Sequence, residues 1–422
     1  MAPWPAALKL IAPRYVDRFA CVGAACSDHC CAGWRVPVDE GHYYQLRTAM
    51  GGSRAERMEF RAAHERNRAP ERPPGQFAFL RHDAHGTCTL LDASRLCRTQ
   101  TRYGADSLPD TCSLYPREVS AASGRAEVFA TLSCPEAARL CLLDDEALVL
   151  GELDAARAPR PVLSQALVAD AAPYERYLDD IRTTWMRLLM PGTHPLASRL
   201  FFCVSFADAT RPFFRRGQPV DEARLAAAIR AHADPAQLAT LHDGFVTLQL
   251  PPELASSMVL RVLRERLAAS APTAFHRLVA EALGPLRGLP ALELWDTYER
   301  RRDSWTPALQ ARLDRAFGNY ALNHFLKHWY FSQPDLLAYV RHFLVRLAVV
   351  RFVFFCHPRV VAAADLADEG AQAEALDQAV VDTIYKFSRA IEHHAEFLAA
   401  IDAGLTAEES NGAFHAALLA SF

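Results

Sequence analysis

The sequence predicts a mainly α protein, with an irregular, cysteine-rich N-terminal metal-binding domain followed by an all-helical C-terminal domain. Three observations carry this expectation. Nine of the eleven cysteines fall before residue 142, and only Cys203 and Cys356 lie beyond it. From Tyr174 onward, apolar residues recur almost throughout at the spacing of amphipathic helices. Between the two regions, residues 143–172 run acidic and then Ala/Pro-rich, as a boundary does. A chain of 422 residues is also long enough for two cores. The domains are therefore drawn as 1–142, a linker at 143–172, and 173–422.

In the first domain, Leu8 to Phe19 leads into a thiol cluster, and Trp34 to Asp39 leaves it as a short extended piece. Glu40 to Met50 reads as a helix stopped by Gly51-Gly52. Residues 53–76 are rich in Arg, Glu and Pro and read as a surface helix and loop, after which Phe77 to Leu80 restarts ordered structure. Gly86 to Cys97 suggests a hairpin or turn followed by a helical turn. Two prolines punctuate Leu108 to Arg117, which is expected to be irregular. Glu127 to Leu132 has β character and runs into a helix start at Ser133-Cys134-Pro135. In the second domain, helices are expected at Tyr174–Met190, Ala197–Ala209, Asp221–Ala231, Leu254–Ala269, Ala274–Leu286, Trp305–Tyr320 and Asp377–Asp402.

Composition excludes several classes. Half the residues are hydrophobic (51%) and 23% are charged, as in an ordinary globular protein. A net charge of −3 leaves no electrostatic footprint for nucleic acid. The N-terminus lacks a basic start leading into a long apolar run, and Pro3, Pro5 and Pro13 interrupt it, so no signal peptide is expected. The most apolar segment, Phe343 to Cys356, carries Arg346 and Arg351 and is too short and charged to span a membrane. The expectation is a cytoplasmic protein. There stable disulfides are rare, and clustered thiols bind metal or react.

Cys21, Cys26, Cys30 and Cys31 follow the spacing C-x4-C-x3-C-C. Unbonded cysteines are ordinarily scattered singly through cores, so four thiols packed this closely point to a metal or to disulfides. Zinc takes four soft ligands in a tetrahedron, and iron–sulfur clusters take four thiolates with freer spacing. Adjacent side chains such as Cys30 and Cys31 diverge on an extended backbone. That leaves a place for a more distant ligand from Cys97, Cys112 or Cys134. Spacing does not separate zinc from iron–sulfur. No G-x-G-x-x-G, phosphate-cradling loop or H-E-x-x-H is present. Position 33 is Gly33, so the C-x3-C-x2-C pattern of radical S-adenosylmethionine (SAM) enzymes is absent too.

The run from Cys21 through Cys26, Cys30 and Cys31 to Trp34 resembles the opening of the flagellin lysine N-methylases, within a cysteine-rich class of zinc or iron chelators. The likeness continues at Leu96-Cys97-Arg98, at Leu108-Pro-Asp-Thr-Cys112-Ser-Leu-Tyr-Pro-Arg117 and at Leu132-Ser-Cys134-Pro-Glu-Ala-Ala-Arg-Leu140. In the helical half, Gly318-Asn319-Tyr320, Asn323 and Lys327 are similar to that family's Asn-Tyr…Asn…Lys segment. The resemblance implies a methyltransferase that modifies surface lysines of flagellin, uses SAM as donor and carries a 4Fe–4S cluster on these cysteines. An alternative from another class is a non-enzymatic zinc- or iron-binding module whose helices bind a partner, and a third is a thiol redox sensor.

Other candidates have plainer readings. Asp28 and His29 are expected to cap or hydrogen-bond the thiol loop, and Arg117 to pair with Glu136. The aromatics of 320–331 are expected in the core, and His324, His328, His393 and His394 as surface or satisfied side chains. The sequence singles out no catalytic base and no SAM-contacting residue.

Overall fold

The computed structural model describes residues 4, 8–32, 34–73, 75–168, 171–248, 251, 254, 257, 259–264, 273–391 and 412–422. Two compact units divide the chain: Met1–Leu140 with Val149–Ala166, and Cys141–Leu148 with Leu167–Phe422. The stretch 143–172 is thus shared between the units rather than lying between them.

The first unit contains two sheets. Strands β1 (Lys9–Pro13), β5 (Arg117–Ala122), β6 (Arg125–Ala130), β7 (Leu150–Glu152) and β8 (Gln165–Ala166) form a five-stranded sheet in the order β7-β1-β6-β5-β8. The β5–β6 hairpin turns at Ser123-Gly124, both at positive φ (50° and 73°). A two-residue hairpin of this type needs positive φ at both central positions to match strand twist. Val119, Val128 and Phe129 are buried, the last two on opposite faces of β6. On the short helix α1 (Arg14–Asp17), the Tyr15 hydroxyl donates to Ala130 O at 3.1 Å and accepts from Ala130 N at 2.8 Å, fastening the chain after β1 to β6.

A smaller antiparallel sheet, β2 (Pro37–Val38), β4 (Ala78–Leu80) and β3 (His64–Arg66), packs with helices α2 (Glu40–Ala49) and α3 (Arg54–Ala63). Asp39 caps α2 by accepting from His42 N at 2.9 Å. A reciprocal Ser53/Glu56 capping box starts α3. Leu46, Phe60, Phe77 and Cys88 are among the residues of the core they share. Two short helices, α4 (Arg98–Tyr103) and α5 (Asp110–Leu114), complete the thiol-bearing region. The stretch 108–117, expected to be irregular, holds α5 because Pro109 sits at the N-cap, where its missing N–H breaks no helical bond. Helix α6 (Pro135–Leu142) starts at the expected proline.

The second unit is helical. Helices α7 (Leu178–Leu189), α8 (Leu196–Thr210), α9 (Glu222–Ala231) and α10 (Pro235–Val246) are followed by α11 (Ala274–Leu283), α12 (Ala291–Asp303) and α13 (Pro307–Lys327). The last four are α14 (Leu336–Phe355), α15 (Pro358–Ala363), α16 (Glu369–Ile391) and α17 (Gly412–Ala420). Much of the helix expected at 254–269 and the stretch 392–402 of the last expected helix lie outside the described residues, as do His393 and His394. Helix α14 is buried on nearly every face, which explains its even hydrophobicity. No helix among the described residues is long and apolar enough to cross a membrane. Tyr320, Phe325, Trp329 and Tyr330 are core residues, as expected. Asn319 Nδ2 donates to Cys141 O and Asp144 O, both at 3.0 Å, which gives this residue a structural task inside the helical unit.

Candidate metal centre

Five cysteines from four segments line one cavity of about 70 Å³: Cys30, Cys31, Cys88, Cys97 and Cys112. Local structure places each of them. Cys88 N donates to Cys31 O at 2.6 Å, and Ala32 bridges Thr87, so the thiol loop pairs edge to edge with residues 87–88. Asp92 closes a tight turn by accepting from Ser94 N and Leu96 N, and Cys97 bridges back to Leu91. Cys97 then precedes α4, and α5 delivers Cys112. Trp34 Nε1 donates to Cys30 O at 2.9 Å, which ties the apolar lining to the loop.

The thiols feel one another. Cys30 and Cys31 lie 3.9 Å apart, Sγ to Sγ. The hydrogen bond with Cys30, then burial, then the charges of Cys30, Cys88 and Cys97 push the Cys31 thiol far up. Burial first, then Cys97 and Cys30, pushes Cys88 up to about 11. Burial and the charges of Cys97, Cys30 and Cys88 hold Cys112 well above the thiol range. The pocket therefore disfavours several thiolates in the absence of a cation. A metal bound there must displace thiol protons, so its affinity falls with pH.

Four of the expected ligands, Cys30, Cys31, Cys97 and Cys112, meet in this pocket. Cys21, Cys26 and Cys134 do not line it. Cys134 is pushed up to about 11 by burial first and also by the charges of Cys26 and Cys21, so these three form a second neighbourhood. Sequence reasoning missed Cys88, because its proximity to Cys31 arises from strand-like pairing between distant segments. Cys141, Cys203 and Cys356 are buried singly. Asp28 accepts from His29 N at 2.8 Å, as expected. The expected Arg117–Glu136 pair is not formed. Glu136 instead binds Arg139 (2.7 and 2.9 Å), which lies one turn along the same helix.

A second polar group was not visible in the sequence. Ligand atoms of Asp39, His42 and Asp110 lie within 4.8 Å of one another. A buried guanidinium fills the place a cation would take. Arg160 Nη1 lies 2.9 Å from His42 Nε2, 3.0 Å from Asp110 Oδ1 and 2.7 Å from Leu108 O. Its Nη2 donates to Ala105 O at 3.1 Å and Asp106 O at 3.2 Å. Since Nη1 donates to Nε2, the network assigns the His42 proton to Nδ1, which donates to Asp39 at 2.9 Å. The group is a clamp that holds residues 105–110 ahead of Cys112, and Leu108 and Pro109 line the thiol pocket.

Burial alone would raise the Asp39 carboxyl, but hydrogen bonds from His42 and from Asp110 N hold it below the usual carboxylate range. A lowered folded pKa contributes stability that is present above the unfolded value of ~3.9 and is lost as pH falls through the folded value. The clamp is therefore expected to weaken below about pH 4. Acid titration followed by tryptophan fluorescence checks this, and Asp39→Asn should flatten that part of the curve.

A family model described as the FliB lysine N-methylase C-terminal domain matches residues 182–419. The chain is 33% identical over 141 residues to a flagellar biosynthetic protein FliU of Salmonella muenchen, covering 33% of this chain and 80% of that relative. It is 32% identical over 141 residues to a lysine-N-methylase of Salmonella typhimurium and 31% identical over 144 residues to one of Salmonella choleraesuis. Each of those alignments covers 33% of this chain and spans about a third (34%) of the relative's length. No solved structure matches. The family match takes in more than half of the chain, from α7 into α17, and the chain belongs to the FliB lysine N-methylase family.

Proposed function

We propose that this chain is a protein methyltransferase that transfers methyl groups from SAM to surface lysines of flagellin, and that its thiol pocket holds a 4Fe–4S cluster. Membership of the FliB lysine N-methylase family carries the reaction class. Relatives named as lysine-N-methylases and as a flagellar biosynthetic protein support flagellin as substrate.

The donor set supports the cluster. Five thiols face one cavity, one more than four-thiolate ligation needs. Its volume of about 70 Å³ is several times the ~10–15 Å³ that one water needs. That room favours a multinuclear cluster over a single zinc ion. Bound there, a cluster would staple the loops carrying Cys30, Cys31, Cys88, Cys97 and Cys112 into one unit.

The transfer sets its own requirement. Free lysine has a pKa of ~10.4, so at neutral pH its nitrogen lacks the lone pair that attacks the sulfonium methyl. The substrate ammonium must lose its proton, by desolvation or to a base, before the new C–N bond forms as the S–CH3 bond breaks. S-adenosylhomocysteine then leaves.

The test uses the full chain purified without oxygen, flagellin, and SAM labelled in its methyl group. Label on flagellin lysines, absent when either protein is omitted, is the expected result. Metal-replete protein that labels nothing overturns the enzymatic reading. Zinc without acid-labile sulfide overturns the cluster while leaving methyl transfer standing.

A further inference from the structure

Arg117 opens β5 opposite Ala130, a few residues beyond Cys112. It lines a second cavity of the first unit, about 160 Å³, with Val16, Asp17, Phe19, Leu153 and Arg157. Arg157 is committed to Asp17 at 3.0 Å. Arg117 is not committed. Among the described residues its side chain makes one hydrogen bond, a long 3.5 Å contact from Nη2 to Ser113 O, and its buried Nε has no partner. The carboxylate expected to pair with it, Glu136, is held by Arg139.

Arg160 in the same unit makes the contrast, because it meets five acceptors within 3.2 Å. A partly buried guanidinium without a carboxylate is costly unless a ligand completes it. Burial alone already holds the Arg117 pKa below its usual range. The charged lining is two arginines against one aspartate, and the remaining walls are apolar.

We propose that this cavity takes the carboxylate of a small amino-acid-like ligand on Arg117. Resting on the donor reading above, that ligand is the methionine end of SAM. The cavity is smaller than the ~300–1,000 Å³ of whole-ligand pockets, so it takes the amino-acid end alone. The planar fork of arginine matches a carboxylate through two parallel N–H···O bonds.

The experiment is isothermal titration of the full, metal-loaded chain with SAM and with decarboxylated SAM. Wild type is expected to bind SAM at least tenfold more tightly than the decarboxylated donor. Arg117→Met should lose that preference and at least tenfold in SAM affinity, with iron and sulfide contents unchanged. Arg117→Lys should fall between the two. Equal SAM binding by wild type and Arg117→Met overturns the role of Arg117 alone, and so does equal binding of both donors by wild type. Absence of any SAM binding by wild type overturns the donor reading together with it. Equal binding of both donors by wild type overturns the proposal even where a variant fails to fold, and Arg117→Lys, which keeps the charge, tests Arg117 where Arg117→Met does not fold.

Discussion

Serine in place of Cys97 is expected to lower bound iron and acid-labile sulfide at least tenfold in protein purified without oxygen. Cys97 lies in the cavity shared with Cys30, Cys31, Cys88 and Cys112, and these thiols reach it from four segments of the chain. Soft thiolate ligands select iron–sulfur clusters, and a serine hydroxyl neither ionises near neutral pH nor matches that softness. A cluster takes four thiolates, so four of the five single-serine variants should fall and one should keep its metal. Cys203→Ser is the control, since that thiol is fully buried in the helical unit, away from other cysteines. It should retain full metal. Retention by all five pocket variants, with loss in Cys21→Ser, Cys26→Ser or Cys134→Ser, would move the centre to the second thiol neighbourhood.

Trp185→Ala should destabilise the helical unit by about 3–5 kcal/mol, the usual cost of emptying a large buried aromatic site. Trp185 is 1% exposed and joins three helices. It extends from α7, meets Phe206 of α8 edge-on at 5.3 Å and stacks on Phe325 of α13 at 5.3 Å. Its Nε1 has no hydrogen-bond partner among the described residues, so its loss removes packing without leaving a polar partner stranded. For a unit of this size each kcal/mol lowers Tm by roughly 2–4 °C, and a drop of about 6–20 °C is expected in scanning calorimetry. Trp185→Phe, which keeps most of the contact area, should recover more than half of it. A shift of under about 3 °C for the alanine variant would mean that the three helices close around the gap.

The helical half was legible because a 3.6-residue period repeats over long stretches, and the spacing of Tyr177, Leu178, Ile181, Trp185 and Leu188 displays it directly. Helix α14 was harder to read, because burial on all sides erases that period. The five-stranded sheet was not read. Its strands are two to six residues long, and β1 pairs in parallel with β6, far along the chain. The local signal that was present is Ser123-Gly124 between two runs of β character. At the thiol pocket, sequence crowding pointed to Cys30 and Cys31, and the divergence of these adjacent side chains to a distant ligand from Cys97, Cys112 or Cys134. Cys88 and the Arg160 clamp depend on contacts between segments that no spacing rule connects.

Strands β7 and β8 and the side chain of Arg160 reach the first unit from beyond residue 148, after the chain has already visited the helical unit at Cys141–Leu148. A fragment ended at the last clustered cysteine would lack both outer strands and leave β1 and β5 as bare edges, which invite pairing between molecules. It would also lose the guanidinium that holds the approach to Cys112. A cut before residue 149 therefore separates the pocket from part of its own framework, whereas a fragment 1–166 keeps every part of the thiol-bearing unit but takes Cys141–Leu148 away from the helical one.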